Sequence, residues 1–167
     1  MRAAARQVKV FIPMALCATT SEKESSAMTA PGVDPALLED PYPLQRQLGF
    51  RVTGWRRDFA RIEMPLTEAV MNRQGLPHGG IHATLLDTAM GFAGCFTGDP
   101  QNRQMALTLS LTVNYLSQAT GDRLIAEGWR TGGGRKTYFA EGTVTDTEGT
   151  VVATATGVFR YRSAATG

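Results

Sequence analysis

Cysteine is nearly missing from this chain of 167 residues, in which Cys17 and Cys95 stand alone. Two such distant cysteines supply neither a disulfide framework nor the paired spacing of a zinc site, so a reducing cytoplasm is the expected setting. Histidine is as scarce, limited to His78 and His82. Charged residues make up only 19% against 43% apolar, a balance that suits a globular protein and excludes a largely disordered one. Charge of one sign is also lacking where a fold would sit. The first 27 residues hold Arg2, Arg6, Lys9 and Lys23 against Glu22 and Glu24, which leaves 13 basic and 13 acidic residues from Met28 onward. No basic stripe remains for nucleic acid.

Long apolar runs are missing too. The stretch "VFIPMALCA", Val10 to Ala18, is broken by Pro13 and is far too short to span a bilayer, so no membrane partner is expected. The basic start of the chain weakly resembles a targeting segment, and "TTSEKESSAMTAPG" after it has the composition of a linker. A plainer reading starts translation at Met28. Residues 1–33 are therefore read as a flexible N-terminal extension and 34–163 as one domain large enough to bury a core. No G-x-S-x-G elbow and no strand–helix alternation support a Ser-His-Asp hydrolase. No internal repeat is visible.

What the chain does contain falls into a clear order. "DPALLEDPYPLQRQLG" from Asp34 mixes leucines with prolines and reads as one or two short helical turns. Phe50, Val52, Phe59, Ile62 and Met64 suggest two strands around a turn near Gly54 to Arg57. "ALTLSLTVNYL" alternates, with Leu109, Leu111, Val113 and Tyr115 on one face and Thr108, Ser110, Thr112 and Asn114 on the other. Three further strand-forming stretches follow, with a hairpin turn at Asp146 to Gly149. Two strands, one long helix and about four strands favour a single antiparallel sheet and an α+β architecture.

The helix itself, "GIHATLLDTAMGFAGCF" from Gly80 to about Phe96, is apolar on every side and predicts burial within a sheet. Asp87 interrupts it. A buried carboxylate is expensive unless it is paired, so Asp87 is either a structural residue satisfied by a hydroxyl such as Thr84 or a functional one. Gly79 and Gly80 mark the helix start, where unpaired N–H groups sit at the positive end of the dipole and could polarise an acyl carbonyl. Asn72 could orient that carbonyl or a water, or simply stabilise the loop. Eight residues separate Gly79 from Asp87, about 12 Å along a helix. One reaction centre that uses both must draw Asp87 from a second copy of the chain.

The motif "NRQGLPHGG" followed by "IHATLLD", with "TLSLTVNYLSQA" and "GRKTYFAEGTVTDTEGTVVATATGVF" downstream, resembles hotdog-fold acyl-CoA thioesterases of the phenylacetic-acid-degradation type. The resemblance runs from about Leu44 to Arg162. It implies a curved antiparallel sheet wrapped around one long helix, with active sites between subunits of a dimer or tetramer. It also implies that the Gly79 N–H polarises the thioester carbonyl, Asn72 assists, and Asp87 of the other subunit acts as general base or nucleophile. Thr108 is the position matching a Ser or Thr that holds the water in such enzymes. The substrate would be an acyl- or aryl-CoA, with no cofactor beyond the CoA it carries.

The remaining candidates are weaker. His78 is expected to fix the loop, His82 to be packed or interfacial, and the pair not to bind metal, because His78 precedes the helix and no glutamate follows it. Arg135 and Lys136 beside "GGG" suit the phosphates of CoA, with Arg103 and Arg123 behind them. Met90, Phe92 and the loop "TGDPQNRQ" are expected to border the acyl pocket. Cys95 is assigned to core packing. Two other readings remain: an acyl-thioester hydratase or dehydratase using His78 as base, and a non-catalytic acyl-CoA-binding module.

Overall fold

The computed structural model describes residues 32–162. Most of the extension read at 1–33, including Cys17 and the run from Val10, lies outside the described residues. Pro35–Leu37 form a single 3-10 turn capped by Asp34, whose carboxylate accepts the Ala36 N–H at 2.9 Å. Helix α1 (Pro43–Leu48) follows, with proline at its first position and Gly49 closing it in the left-handed region at φ 75°.

Strands β1 (Arg51–Arg56) and β2 (Phe59–Pro65) then form a hairpin whose turn is Arg57 and Asp58, at the far end of the stretch Gly54 to Arg57 expected for it. Helix α2 (Gly79–Cys95) precedes β3 (Ala106–Tyr115), β4 (Arg123–Gly133), β5 (Thr137–Asp146) and β6 (Val151–Tyr161). All six strands join in one antiparallel sheet in the order β1-β2-β4-β5-β6-β3. The sheet curves around α2, the architecture that the sequence resemblance implies. Among the described residues no helix is long and apolar enough to cross a membrane.

Glycine decides how closely helix and sheet approach. Gly128 on β4 and Gly142 on β5 are direct partners in the ladder, and a Cβ on Gly128 would lie 2.5 Å from the carbonyl carbon of Ala89. No side chain fits there, so α2 rests its backbone on the sheet. On the helix side, Gly94 leaves room for the Tyr138 ring, which a Cβ would meet at 2.2 Å. Tyr138 stacks on Phe159 at 5.0 Å, and its hydroxyl donates to the Gly91 carbonyl at 3.0 Å. Ile62, Met64, Leu85, Leu86, Met90 and Leu124 fill the space between, all fully buried.

Two expectations need correction. The helix is not enclosed on every side, since Thr84, Asp87, Thr88, Gly91 and Phe92 are only half-buried. That less covered face carries Asp87, two threonines and Gly91, with Phe92 as its one bulky apolar side chain. Met90, expected beside the acyl pocket, is instead in the core under the sheet.

Strand β3 lies at the edge of the sheet, paired on one side with β6. Its simple alternation is broken: Thr108 pairs with Phe159 and Ser110 with Val158, which leaves Leu109 as an extra residue. This bulge shifts the side-chain phase, so Thr108 turns toward α2 although Leu111 and Val113 also pack inward. Unbroken alternation would have put Thr108 on the opposite face from them.

Candidate active site

The loop before α2 is held by Asn72. Its Oδ1 accepts the N–H groups of Gln74 and Leu76 at 2.8 and 3.2 Å, and its backbone N–H donates to Leu76 at 2.7 Å. This clasp takes the Asn72 oxygen and leaves its amide N–H₂ as the group able to face a ligand. The His78 N–H donates to Val70 at 2.9 Å and fixes the point where the helix begins.

His78 is the N-cap of α2. Its Nδ1 accepts the Gly80 N–H at 2.9 Å and its carbonyl accepts the Ile81 N–H at 2.8 Å. The Gly79 N–H, by contrast, has no acceptor among the described residues, as the first donor of a helix ordinarily lacks one. Tyr115 covers Gly79 from β3: its hydroxyl donates to the Gly79 carbonyl at 3.1 Å and its ring lies 3.3 Å from where a Cβ would stand. His82 packs edge-on against that ring and is 6% exposed; burial pushes its pKa below the usual imidazole value.

Two turns further along α2, the Thr108 hydroxyl donates to Asp87 Oδ1 at 2.6 Å. Thr84, considered as the partner of Asp87, instead donates to the Gly80 carbonyl at 2.9 Å. Asp87 and Thr108 line a cavity of about 330 Å³ that continues past Gly91, Phe92 and Cys95 to the loop at 97–105. Trp55 forms one wall: its indole N–H donates to the Phe92 carbonyl at 2.8 Å, and its ring meets Phe92 and Phe96 edge-on. Burial pushes the Cys95 thiol up to about 11, so it stays protonated at neutral pH and suits packing rather than nucleophilic attack.

The structure thus brings Asp87 to Thr108 and His78 to Gly80, but it keeps the two groups apart on one helix. Asn72, His78, Gly79 and Gly80 do not line the cavity. Arg135 and Lys136 lie exposed in the β4–β5 turn, also away from it. Arg103 pairs with Glu39 at 2.7 Å and Arg123 with Glu63 at 2.9 Å.

The profile of the thioesterase superfamily matches residues 74–153, the stretch from the loop before α2 into β6. A Bacillus halodurans protein whose structure was solved with CoA is 31% identical, with 71% of this chain and 75% of that one covered and a TM-score of 0.60. The chain belongs to the thioesterase superfamily. A thioesterase family protein of Silicibacter pomeroyi is 26% identical over 72% of this chain and 89% of that one, at a TM-score of 0.63. The E. coli PaaI protein from the phenylacetic acid degradation operon, 23% identical over 72% and 84%, shares the fold at a TM-score of 0.63. No protein of curated function matches the sequence.

Within this superfamily member, several residues of the site gave no local signal in the sequence. Tyr115 reads as an ordinary strand tyrosine until β3 is seen to run antiparallel to α2, which brings it to Gly79. Leu37, Glu39 and Tyr42, from the segment before the sheet, line the same cavity as Asp87. A contact between residues so distant in sequence leaves no periodic trace. Trp55 is the one that composition could have flagged, as one of only two tryptophans in the chain.

Proposed function

We propose that the protein hydrolyses an acyl- or aryl-CoA thioester to the free acid and CoA, as a homodimer or a homotetramer, with each active site shared between two subunits. The observation that carries this reading is the Asp87–Thr108 pair, 2.6 Å apart at one end of a 330 Å³ cavity, on a helix whose free Gly79 N–H is too distant to meet the same carbonyl. Eight residues of helix amount to about 12 Å. A second α2 running antiparallel would bring Gly79 of one subunit to Asp87 of the other. The exposed edge of β3, with Leu107, Leu109 and Tyr115 more than half exposed, supports pairing there.

The chemistry follows from those groups. Asp87 takes a proton from a water that the Thr108 hydroxyl helps to orient, and the water oxygen attacks the thioester carbon. Negative charge develops on the carbonyl oxygen, which the Gly79 N–H of the partner subunit stabilises at the helix N-terminus, with the Asn72 amide beside it. The C–S bond then breaks, and CoA leaves as a thiolate that recovers the proton. No further cofactor is needed. Gly80 and His78 hold the corner that presents Gly79, and Arg135 and Lys136 are the proposed contacts for the nucleotide phosphates of CoA.

A hydratase would need His78 as a base, but its Nδ1 already accepts the Gly80 N–H. The deciding experiment measures thiol release from short, medium, long and aryl acyl-CoA thioesters with the wild type and Asp87→Asn. Release that falls about 10²–10⁴-fold in a folded variant supports general-base hydrolysis. Equal rates in both proteins, or no release from any thioester by the wild type, would refute the proposal.

A further inference from the structure

The cavity has a direction. Thr108 meets Asp87 and Tyr115 meets Gly79, so β3 runs antiparallel to α2 beside it. Moving away from Asp87 along the helix, the cavity passes Gly91, Phe92 and Cys95; along the strand, it passes Ala106, Met105 and Gln104. The strand path continues to Arg103. There the Arg103 guanidinium pairs with Glu39 at 2.7 Å, and Leu37, Glu39 and Tyr42 complete the lining.

The strap that supplies these three residues is lightly attached. No residue of the 3-10 turn or of α1 is buried. Leu37 and Leu38 are only half-buried, Tyr42 lies edge-on to the buried Phe50 ring at 5.9 Å, the Pro41 carbonyl accepts from the Arg46 guanidinium, and Glu39 pairs with Arg103, the two side chains 58% and 43% exposed. An ion pair so open to water is a weak tie. A wall of this kind can yield, whereas the Asp87 end is fixed by the helix and sheet.

We propose that the strap Pro35–Tyr42, latched by Glu39–Arg103, is the acyl-length gauge of the site. This rests on reading the cavity as the acyl pocket. From Asp87 to Cys95 is eight helical residues, about 12 Å. An extended chain advances about 1.2 Å per bond, taking the span of one extended residue over its three bonds, so about ten carbons span the helical part of the lining. The cavity therefore takes medium-chain acyl groups of up to about ten carbons, or one aryl ring on a short spacer. Longer chains must displace Leu37.

Binding can be separated from hydrolysis with a series of S-alkyl-CoA thioethers from four to sixteen carbons, measured by calorimetry on the full chain. Affinity in the wild type should rise with length and then fall about tenfold beyond roughly ten carbons, a discrimination of the size a pocket wall gives. Glu39→Arg and Arg103→Glu should each move that break to longer chains, and the double exchange should return it. Leu37→Ala should also lengthen the limit and Leu37→Trp shorten it. A wild-type profile with no break, or a break that stays fixed in all variants, overturns the gauge. A break that moves as expected in a protein that cleaves no thioester would refute the hydrolase reading and leave the gauge standing.

Discussion

Thr108 and Asp87 are joined by a hydroxyl donating to a carboxylate, and a hydrogen bond to a charged group contributes about 1.5–3 kcal/mol. Thr108→Val, which removes the hydroxyl but keeps the shape, should lower kcat about ten- to a hundredfold, while Thr108→Ser should recover most of it. Steady-state kinetics on one acyl-CoA would check both. Asp146, at the β5–β6 turn, is 2% exposed and accepts N–H groups from Thr120, Thr150 and Gly121 with the Thr120 hydroxyl besides. These donors, the Thr120 N–H foremost, hold its carboxyl well below the usual carboxylate range. Its folded pKa thus lies under the unfolded value of about 3.9, so its stabilisation is complete above that pH and is lost as pH falls below it. Urea midpoints of the wild type should exceed those of Asp146→Asn at pH 7, and the gap should close toward pH 2.

The glycine contact between β4 and α2 gives the sharpest stability test at the level of elements. A methyl group on Gly128 would sit 2.5 Å from helix backbone, where nothing flexible can yield. Gly128→Ala should therefore destabilise by about 1–3 kcal/mol, read as a lower urea midpoint with unchanged slope. Gly132→Ala, with open space around it, serves as the control. The succession of elements was legible in the sequence because alternation in strands and small apolar residues in α2 are local signals. Their pairing was not: nothing within β3 says that it joins β6 at the edge. Asp87 and Gly79 stood out as a carboxylate in an apolar helix and a glycine at its start. The orientation of Thr108 depended on the extra residue Leu109, and strict alternation pointed it the wrong way. The strap stayed hidden because the Glu39–Arg103 pair spans the whole first half of the domain.

At the scale of the whole molecule, the proposed sharing of each site between subunits makes a complementation test. Gly79→Pro removes the N–H proposed to polarise the carbonyl yet suits the first helical position, provided the Tyr115 ring, 3.3 Å from the new Cβ, gives by a few tenths of an ångström, and His78 already has the extended φ of −62° and ψ of 136° that a residue before proline prefers. Alone it should lose about 10²–10³ in kcat. Mixed with equal Asp87→Asn and allowed to exchange subunits, it should regain about a quarter of wild-type activity, since half the dimers are mixed and each has one intact site of two. If both groups served one site within a single chain, no activity would return on mixing, which a simple time course of thiol release would reveal.

The distance between Gly79 and Asp87 along α2 also sets a kinetic order. If each site is shared as proposed, neither half of the machinery works without a second chain, so the rate per chain should fall on dilution below the dimer dissociation constant, and total turnover should then scale with the square of protein concentration. On the proposed mechanism, a newly synthesised copy would be inert toward CoA esters until it met another, making hydrolysis a response to abundance as well as to substrate.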